Sequence, residues 1–368
     1  MKQKKIRLGI LFGGKSAEHE VSLISAKNII EALDKQKYDL FLIGIDKTGE
    51  WLLRDGYAYL EHADDPKLIH LQGAKETVAL VPKQNRKEIV SYKDNQLQES
   101  LNLDVIFPVL HGTFGEDGTV QGLLKLAGIP FVGAGVLGSA VGMDKDVMKR
   151  LLRDAKIPVA RFLTVHTYDR HQFNFERVVE EVGLPFFVKP ANSGSSVGIC
   201  KVKEKEDYLS ALSAAFLFDR KVMIEEFIPG REIECSILGN DHPIVSLPGE
   251  VIPHHEFYSY EAKYIDVDGA HFQIPVSLDP EVTAKMQEIA IQAYRALCCE
   301  GMARVDFFLK ENGELFLNEI NTIPGFTSIS MYPKLWEASG ISYSELLDRL
   351  IELALERHTQ ESQLKTTV

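Results

Sequence analysis

Cysteine is scarce in this sequence, with four residues in a chain of 368. The four are Cys200, Cys235, Cys298 and Cys299, and no two of them form a C-x-x-C pair. Adjacent cysteines are poorly placed for a disulfide or a zinc site, and all four lie in apolar surroundings. The pattern therefore predicts reduced, buried thiols and a cytoplasmic location.

Long apolar runs are also missing, and acidic residues outnumber basic ones by 53 to 41. No run approaches the roughly 18–20 residues that span a bilayer, and the apolar segment 6–12 is too short for a signal-peptide core. The sequence thus predicts no membrane association. The formal net charge of −12 argues against nucleic acid as a partner, whereas a local site for an anion such as ATP needs only a few lysines.

The length and the order of the apolar segments predict the fold class. A chain of 368 residues is too long for one ordinary core, so two or three domains are expected. Strand-like runs at 6–12, 38–46 and 103–109 alternate with helical segments and indicate an open parallel α/β domain. The polar segment 50–100 is interpreted as a surface elaboration with a candidate hairpin at 78–92. The rest of the chain reads as a small α+β unit and then an antiparallel sheet with closing helices.

The stretch 301–330 combines two strand-like runs with a dense set of polar side chains. Strand alternation places Arg304 and Asp306 on one face of the first run. It places Glu319 and Asn321 on one face of the second. A hairpin would gather two carboxylates, an amide oxygen and a guanidinium, which suits magnesium, phosphates and an oxygen that gains charge. The alternative is a hairpin with a solvated polar face.

Two polar residues follow strands of the first predicted domain. Glu18 opens a helix after Gly13 and Gly14, in a spacing that matches neither a dinucleotide-binding motif nor a P-loop. Its alternative role is to complement the helix dipole. His111 precedes a glycine-rich loop at the carboxyl end of a strand, where α/β sheets bind ligands. The alternative for His111 is a residue that only ties down this loop.

Two lysines and a small-residue loop indicate a phosphate site in the middle of the chain. Lys189 ends a buried-looking strand, where an unpaired charge is costly. Lys145 lies on a charged helix, for which a solvated face is the alternative. The loop 193–198 offers backbone N–H groups of the kind that cradle anions, with a plain tight turn as the alternative.

These motifs, in order across residues 10–331, resemble those of the D-alanine:D-alanine ligases of the ATP-grasp superfamily. The closest strings are GGKSAEHEVS from residue 13, HGTFGEDG from residue 111 and EINTIPGFTSIS from residue 319. The resemblance implies a three-domain ATP-grasp fold, α/β overall and α+β in its ATP-grasp part. The implied domains are an N-terminal open parallel α/β substrate domain at 1–138, a central domain at 139–224 and a catalytic domain at 225–360.

The resemblance also implies roles for individual residues. The catalytic residues would be Glu18, Ser195, Tyr264, Arg304, Gly325 and Ser330. The substrates would be held by Glu18, His111, Arg304 and Ser330. ATP would contact Lys145, Lys189, Ser196, Glu225, Glu226, Ile228, Glu232 and Lys263. Two magnesium or manganese ions would bind Asp306, Glu319 and Asn321, and a monovalent cation is left open.

Within these sets the resemblance is specific about several contacts. Glu18 would receive the ammonium group of the first D-alanine, which His111 would help to position. Ser330 would hold the carboxylate of the second substrate. Arg304 and the backbone N–H of Gly325 would meet the tetrahedral oxyanion.

The ATP contacts and the lid are implied in the same way. Glu225 would accept from the adenine amino group and Glu232 from the ribose hydroxyls. The family often has lysine where this chain has Glu226, a departure that matters little if the backbone reads the ring edge. The tyrosine-rich segment 257–264 resembles a lid that closes over the substrates through Tyr264, with an ordinary surface loop as the alternative.

The function implied is ATP-dependent joining of two D-alanines through an acyl phosphate, giving a precursor of peptidoglycan. D-alanine and ATP would be the partners, and the family resemblance implies a homodimer. Two alternatives stay open: a ligase that joins D-alanine to D-lactate, against which Tyr264 argues, and an ATP-binding regulatory protein without turnover. The second would be favoured by a missing metal ligand, yet Asp306, Glu319 and Asn321 are all present.

Overall fold

A computed structural model shows how these segments are arranged. The structure describes residues 4–365 apart from 55–58, 64, 66–67, 74–75, 84–85, 95 and 254–269. In that part of the chain, no helix is both long enough and apolar enough to cross a bilayer.

The first sheet is built on three parallel strands whose carboxyl-terminal halves are buried. In the described residues its strands are β1 Ile6–Gly13, β2 Tyr38–Ile45, β3 Trp51–Arg54, β6 Glu76–Lys83, β7 Arg86–Lys93, β8 Gln96–Asn102 and β9 Val105–Val109. A separate two-stranded ribbon consists of β4 Leu60–Glu61 and β5 His70–Leu71. The flanking helices are α1 His19–Ala32, α2 Thr119–Leu126 and α3 Val136–Met143.

The strand order of this sheet, β8-β7-β6-β3-β2-β1-β9, divides it into two parts. β1 pairs in parallel with β2 and β9, as the continuous apolar runs predicted. β3, β6, β7 and β8 extend the sheet in antiparallel fashion. The candidate hairpin at 78–92 is therefore present as β6 and β7, but as part of this sheet instead of a separate surface element.

The central unit is a four-stranded antiparallel sheet in the order β10-β13-β11-β12, packed on helices. Its strands are β10 Phe162–His166, β11 Phe186–Pro190, β12 Cys200–Val202 and β13 Lys221–Glu226. Its helices are α4 Lys145–Asp154, a short 3-10 turn Arg170–Gln172, α5 Phe175–Val182 and α6 Lys205–Ala215. Apolar side chains on one face of the sheet pack on α5 and α6, which gives this unit a core of its own.

The third unit is an antiparallel sheet in the order β17-β16-β14-β18-β19, with β15 added beside β14. Its described strands are β14 Arg231–Leu238, β15 Ile244–Val245, β16 Gly249–Pro253, β17 Ala270–Gln273, β18 Met302–Leu309 and β19 Leu315–Asn321. Its described helices are α7 Pro280–Ala296, α8 Met331–Ala338 and α9 Tyr343–Ser362. The predicted hairpin is thus present as β18 and β19.

The first and third units share one hydrophobic core. Leu8 and Ile10 of β1 belong to the same buried cluster as Phe326, Trp336 of α8 and Leu346 of α9. A second cluster fills the space between the third sheet, α4 and α7. The loops after β1, β9 and β19 therefore meet at one edge, facing the central sheet.

Candidate active site

Two adjoining pockets lie where the three sheets meet, and Ser195, Glu319 and Asn321 line both of them. The first pocket is lined by the sequence-predicted residues Lys145, Lys189, Ser195, Ser196, Glu225, Glu226, Ile228, Glu232, Glu319 and Asn321. The second is lined by Glu18, His111, Ser195, Glu232, Arg304, Asp306, Glu319, Asn321, Gly325 and Ser330. Every predicted site residue that the structure describes is therefore brought together, while Lys263 and Tyr264 lie outside the described residues.

The β18–β19 hairpin presents the predicted metal ligands on one face. Asp306 lies opposite Glu319, and Arg304 lies opposite Asn321. Carboxylates directly opposite one another repel unless cations lie between them. Arg304 supplies positive charge, because its Nε and Nη2 donate to the two oxygens of Asp306 at 2.8 and 2.7 Å. Lys145 Nζ lies 3.7 Å from Glu319 Oε2 and adds a second cation.

The donor set on this face fits magnesium. Asn321 Nδ2 donates to Asp306 Oδ2 at 3.1 Å, which leaves the amide oxygen available as a candidate ligand. Two carboxylates and an amide oxygen are the ligand types that magnesium prefers. Within the described ranges no three His, Cys, Asp or Glu residues form a metal cluster; the candidate set is two carboxylates and the amide of Asn321.

Arg304 has a second carboxylate partner that the sequence analysis did not single out. Glu234 lies opposite Asp306 on β14, so Glu234, Asp306 and Glu319 form one row across three strands. Arg304 Nε lies 2.9 Å from Glu234 Oε2, and both side chains line the second pocket. The guanidinium is therefore anchored from two sides in a largely buried position.

Glu18 occupies the N-cap position of α1, and its buried carboxylate accepts a hydrogen bond from Ser195 Oγ. Two glycines make room for it. A Cβ at Gly112 would lie 2.3 Å from Glu18 Oε2, and a Cβ at Gly194 would lie 2.5 Å from the same atom. The loop 193–198 thus packs against the start of α1, and Ser195 contacts Glu18 directly.

A buried trio of charges lies at one wall of the first pocket, which Lys189 and Glu225 line while Lys149 is buried behind them. Lys189 Nζ lies 2.7 Å from Glu225 Oε1, and Lys149 Nζ lies 3.0 Å from Glu225 Oε2. Burial alone raises the pKa of Glu225, but Lys149 and Lys189 outweigh it and hold that pKa below its usual value. Burial also lowers the pKa of Lys149. Because Lys149 neutralises Glu225 from behind the wall, Lys189 can offer its charge to an anionic ligand in the pocket.

Lys145 and the serine loop complete the phosphate side of this pocket. Lys145 begins α4, which Asp144 caps by accepting from the N–H of Val147 at 3.0 Å. Lys145 Nζ donates to the carbonyl of Ser193 at 2.7 Å, and so reaches from the helix to the loop. Ser195 and Ser196 both have positive φ, of 48° and 61°, a conformation that costs non-glycine residues energy and is found at ligand sites.

Glu226, which stands where the resemblance would often have lysine, pairs with an arginine in this chain. Arg161 Nε and Nη2 each lie 3.0 Å from the Glu226 carboxylate, and the backbone N–H of Arg161 also donates to it. The side chain of Glu226 is thus engaged at the edge of the central sheet, which leaves its backbone at the first pocket. Ile228 is buried beside it, and Glu232 lines both pockets from β14.

Gly325 and Ser330 face each other across the loop that follows β19. Ser330 precedes α8, and its Oγ accepts from the N–H of Thr327 at 2.9 Å. A Cβ at Gly325 would lie 2.6 Å from Ser330 Oγ, so any larger residue would displace the hydroxyl. The loop is therefore compact, and Gly325 packs against Ser330, the residue predicted to hold the carboxylate of the second substrate.

Sequence reasoning missed Lys149 and Glu234, and it quoted Glu116 only as part of a motif. Lys149 lies four residues after Lys145 on the same helical face, and Glu234 lies two residues after Glu232 on the same strand face. Those spacings were the available signal. Glu116 is half-buried, and desolvation together with the nearby Glu18 carboxylate raises its pKa to about 8.

Comparisons with known proteins agree with this arrangement. A family model described as D-ala D-ala ligase N-terminus matches residues 7–134, and one described as D-ala D-ala ligase C-terminus matches residues 151–352. A relative from Oceanobacillus iheyensis named D-alanine–D-alanine ligase is 55% identical over 363 residues, covering 99% of both chains. D-alanine–D-alanine ligase A of Escherichia coli K12 is 53% identical over 365 residues, covering 99% of this chain and 100% of its own.

Solved structures give the same result. The D-alanine–D-alanine ligase of Coxiella burnetii is 40% identical with a TM-score of 0.85, over 98% of this chain and 97% of its own. The VanG D-Ala:D-Ser ligase of Enterococcus faecalis is 36% identical with a TM-score of 0.82, over 95% of this chain and 100% of its own. By these matches to sequence and structure along nearly its whole length, the chain belongs to the D-alanine–D-alanine ligase family.

Proposed function

We propose that this chain joins two molecules of D-alanine into D-alanyl-D-alanine, a precursor of peptidoglycan, and converts ATP to ADP and phosphate. The proposal is carried by one observation: the polar face of the β18–β19 hairpin lines both pockets at once. A site that joins two pockets in this way suits the transfer of a phosphoryl group from a nucleotide in one pocket to a small acid in the other. Relatives at 53–55% identity carry the name of this activity.

The reaction requires activation, because a carboxylate is a poor electrophile. The γ-phosphoryl group of ATP passes to the carboxylate of the first D-alanine, giving an acyl phosphate and ADP. The amine of the second D-alanine then attacks the acyl carbon, and phosphate leaves. The ammonium groups of Lys145 and Lys189 line the first pocket and would offset phosphate charge.

Asp306, Glu319 and Asn321 would hold two magnesium ions, or manganese in their place. Bound there, the ions would neutralise part of the charge of the nucleotide phosphates. Arg304 donates to Asp306 in the present structure and is also anchored by Glu234. That second anchor keeps the guanidinium in the pocket when the oxygens of Asp306 are used by a cation.

The two D-alanines would lie in the second pocket. The Glu18 carboxylate would receive the ammonium group of the first, supported by Ser195. Arg304 and the N–H of Gly325 would stabilise the oxyanion that forms when the amine attacks. Ser330 would hold the second carboxylate. Tyr264 and Lys263 keep their proposed places in the lid, as residues outside the described part of the chain.

The adenine and ribose contacts are proposed on the opposite wall. Glu225 retains acceptor capacity beside its two lysines, the backbone at Glu226 and Ile228 would read the ring edge, and Glu232 would accept from the ribose. All four cysteines are free thiols, but the predicted burial of all four was wrong, because Cys298 is exposed and Cys200 is half-buried. We also propose the cytoplasm as location, because free thiols persist in a reducing compartment. The homodimer and the division at residues 138 and 224 belong to the same proposal.

The decisive experiment measures phosphate release from ATP with and without D-alanine. Release that depends on D-alanine is expected, and its absence in folded, ATP-binding protein would favour a regulatory role instead. Glu319→Gln should keep the fold and reduce turnover by several orders of magnitude, because it removes a charged metal ligand. D-alanine and D-lactate can also be offered together near neutral pH. If the depsipeptide D-alanyl-D-lactate were the main product, D-lactate would be the second substrate instead of D-alanine.

A further inference from the structure

The loop after β19 is held in place by residues of the first unit, and the following inference rests on the proposed function. The name oxyanion loop is used here for residues 322–327, which contain Gly325. Ile323 is held at both ends of its backbone: its N–H donates to Glu116 Oε1 at 3.2 Å, and its carbonyl oxygen lies 3.1 Å from His111 Nδ1. Two residues of the HGTFGEDG motif are thus hydrogen-bonded to the backbone of one residue of the loop.

Phe326 is held in the same way on the other side of Gly325. Its N–H donates to Ser25 Oγ at 3.2 Å. Its carbonyl oxygen accepts from Asn28 Nδ2 at 3.1 Å and from the Tyr343 hydroxyl at 2.8 Å. Ser25 and Asn28 belong to α1, so the loop is fixed to a helix of the first unit. In the described part of the chain, the N–H of Gly325 donates to no protein acceptor.

His111 and Ser25 connect the hydrogen bonds at Ile323 with those at Phe326. Ser25 Oγ lies 3.1 Å from His111 Nε2, and both residues are buried. The carbonyl of Ile323 can only accept, so His111 Nδ1 must carry a hydrogen. Burial lowers the pKa of His111 to about 4, with Arg304 acting in the same direction, so the ring is neutral near pH 7 and Nε2 has a lone pair.

The direction of every hydrogen bond follows from this protonation. Ser25 donates its hydroxyl hydrogen to His111 Nε2, and the Ser25 oxygen accepts from the N–H of Phe326. The chain of bonds therefore runs from the carbonyl of Ile323 through the ring and the hydroxyl to the N–H of Phe326. It closes around Pro324 and Gly325.

We propose that His111 and Ser25 are positioning residues, whose hydrogen-bond chain fixes the oxyanion loop and aims the N–H of Gly325 at the oxyanion. Both ring nitrogens of His111 are used for this purpose, so its part in the reaction differs from the expected placement of the first substrate. A donor held before the reaction needs no reorganisation during it. Small displacements of such groups cost up to about 100-fold in rate.

The test removes the hydroxyl of Ser25, which lines neither pocket. In Ser25→Ala, kcat is expected to fall by about 10- to 100-fold, while KM for ATP changes by less than about twofold. The matched control is Ser22→Ala, one turn earlier on α1. Ser22 is also fully buried, but it bonds to Gly13 and Val109 within the first unit. Its variant should lose stability and keep kcat within about threefold.

Equal kcat values for the two variants would overturn the proposal. Failure of the proposed function would look different, because the native protein itself would then show no D-alanine-dependent phosphate release. A second measurement is made on the native protein. The ¹⁵N resonances of the native His111 ring at pH 7, assigned by their loss in His111→Gln, should show a protonated Nδ1 and an unprotonated Nε2. The opposite tautomer would contradict the proposed bond directions.

Discussion

Glu225 is the only carboxylate within ion-pair distance of both Lys149 and Lys189 in the described structure. Glu225→Gln would leave two buried ammonium groups facing an amide, and the free energy of unfolding should fall by about 3–5 kcal/mol. Lys149→Met should cost less than half as much, since Glu225 keeps Lys189. Urea unfolding gives the free energy of unfolding of both variants. Equal losses of stability in the two variants would contradict this account.

His111 makes the stability of the fold depend on pH. Its pKa is about 4 in the folded chain and about 6.5 when exposed. The stabilisation is therefore fully present above pH 6.5 and is lost as pH falls towards 4. Glu116 works in the opposite sense, because burial and Glu18 raise its pKa to about 8; its contribution is greatest below pH 4.5 and is lost as pH rises through 8.

The two effects are separated by His111→Gln, which removes only the first. Between pH 6.5 and 4.5, acid should destabilise the native protein more steeply than the variant, by up to about 1.4 kcal/mol per pH unit. Chemical unfolding at several pH values gives both slopes. Parallel slopes would mean that His111 is not kept neutral by the fold.

The sequence predicted those site residues whose placement follows from local geometry. Strand alternation put Arg304 and Asp306 on one face, and the structure agrees. Lys149 and Glu234 were missed for a physical reason: whether a helical lysine is solvated or buried depends on a carboxylate on another element. Strand alternation likewise says which face Glu234 occupies, but not which guanidinium lies there.

At the scale of elements, the serine loop and α1 depend on close contact. Gly194→Ala would place a Cβ 2.5 Å from Glu18 Oε2, so the loop or the carboxylate must move. KM for the first D-alanine should rise by at least about tenfold, on the scale of one lost charged contact. The matched control is Gly122→Ala on α2, where a Cβ meets nothing within 4 Å.

The control variant should leave KM unchanged and gain a few tenths of a kcal/mol to about 1 kcal/mol in stability, as alanine does inside a helix. Steady-state kinetics and thermal unfolding compare the two variants. A normal KM for D-alanine in Gly194→Ala would show that Glu18 does not need the room which this glycine provides.

Element prediction succeeded where the hydrophobic period was unambiguous. The runs at 6–12 and 38–46 became β1 and β2 because fully buried parallel strands are continuously apolar. The polar segment 50–100 was only partly interpreted, since β6, β7 and β8 form the outer part of a sheet where one face is less buried. Their attachment to β3 is a long-range pairing that no local pattern encodes.

At the scale of the whole molecule, Arg357 of α9 joins the third unit to the first. Its guanidinium donates to the carbonyl oxygens of Gly133 and Phe131, lies 4.6 Å from the Phe131 ring centre and is buried. Arg357→Met would leave two buried carbonyls without this donor. The free energy of unfolding should fall by about 2–4 kcal/mol, and the central unit, which has its own core, should be little affected.

Hydrogen exchange separates these effects by region. Faster exchange is expected in the amides of β1, β9 and α9 together, with β11 and β13 unchanged. Uniform acceleration across all three units would show that the shared core does not form a separate cooperative unit. The sequence could not predict this shared core, because its members are separated by up to the whole length of the chain.

The ion pair between Arg161 and Glu226 links the residue types that these two positions can carry in related proteins. The pair is partly exposed and contributes little stability, so the fold does not require this particular pair of charges. A reversal of sign at position 226 would place two cations together unless position 161 also changed. The two positions should therefore vary in concert across relatives, and the double exchange Arg161→Glu with Glu226→Lys should be tolerated better than either half alone.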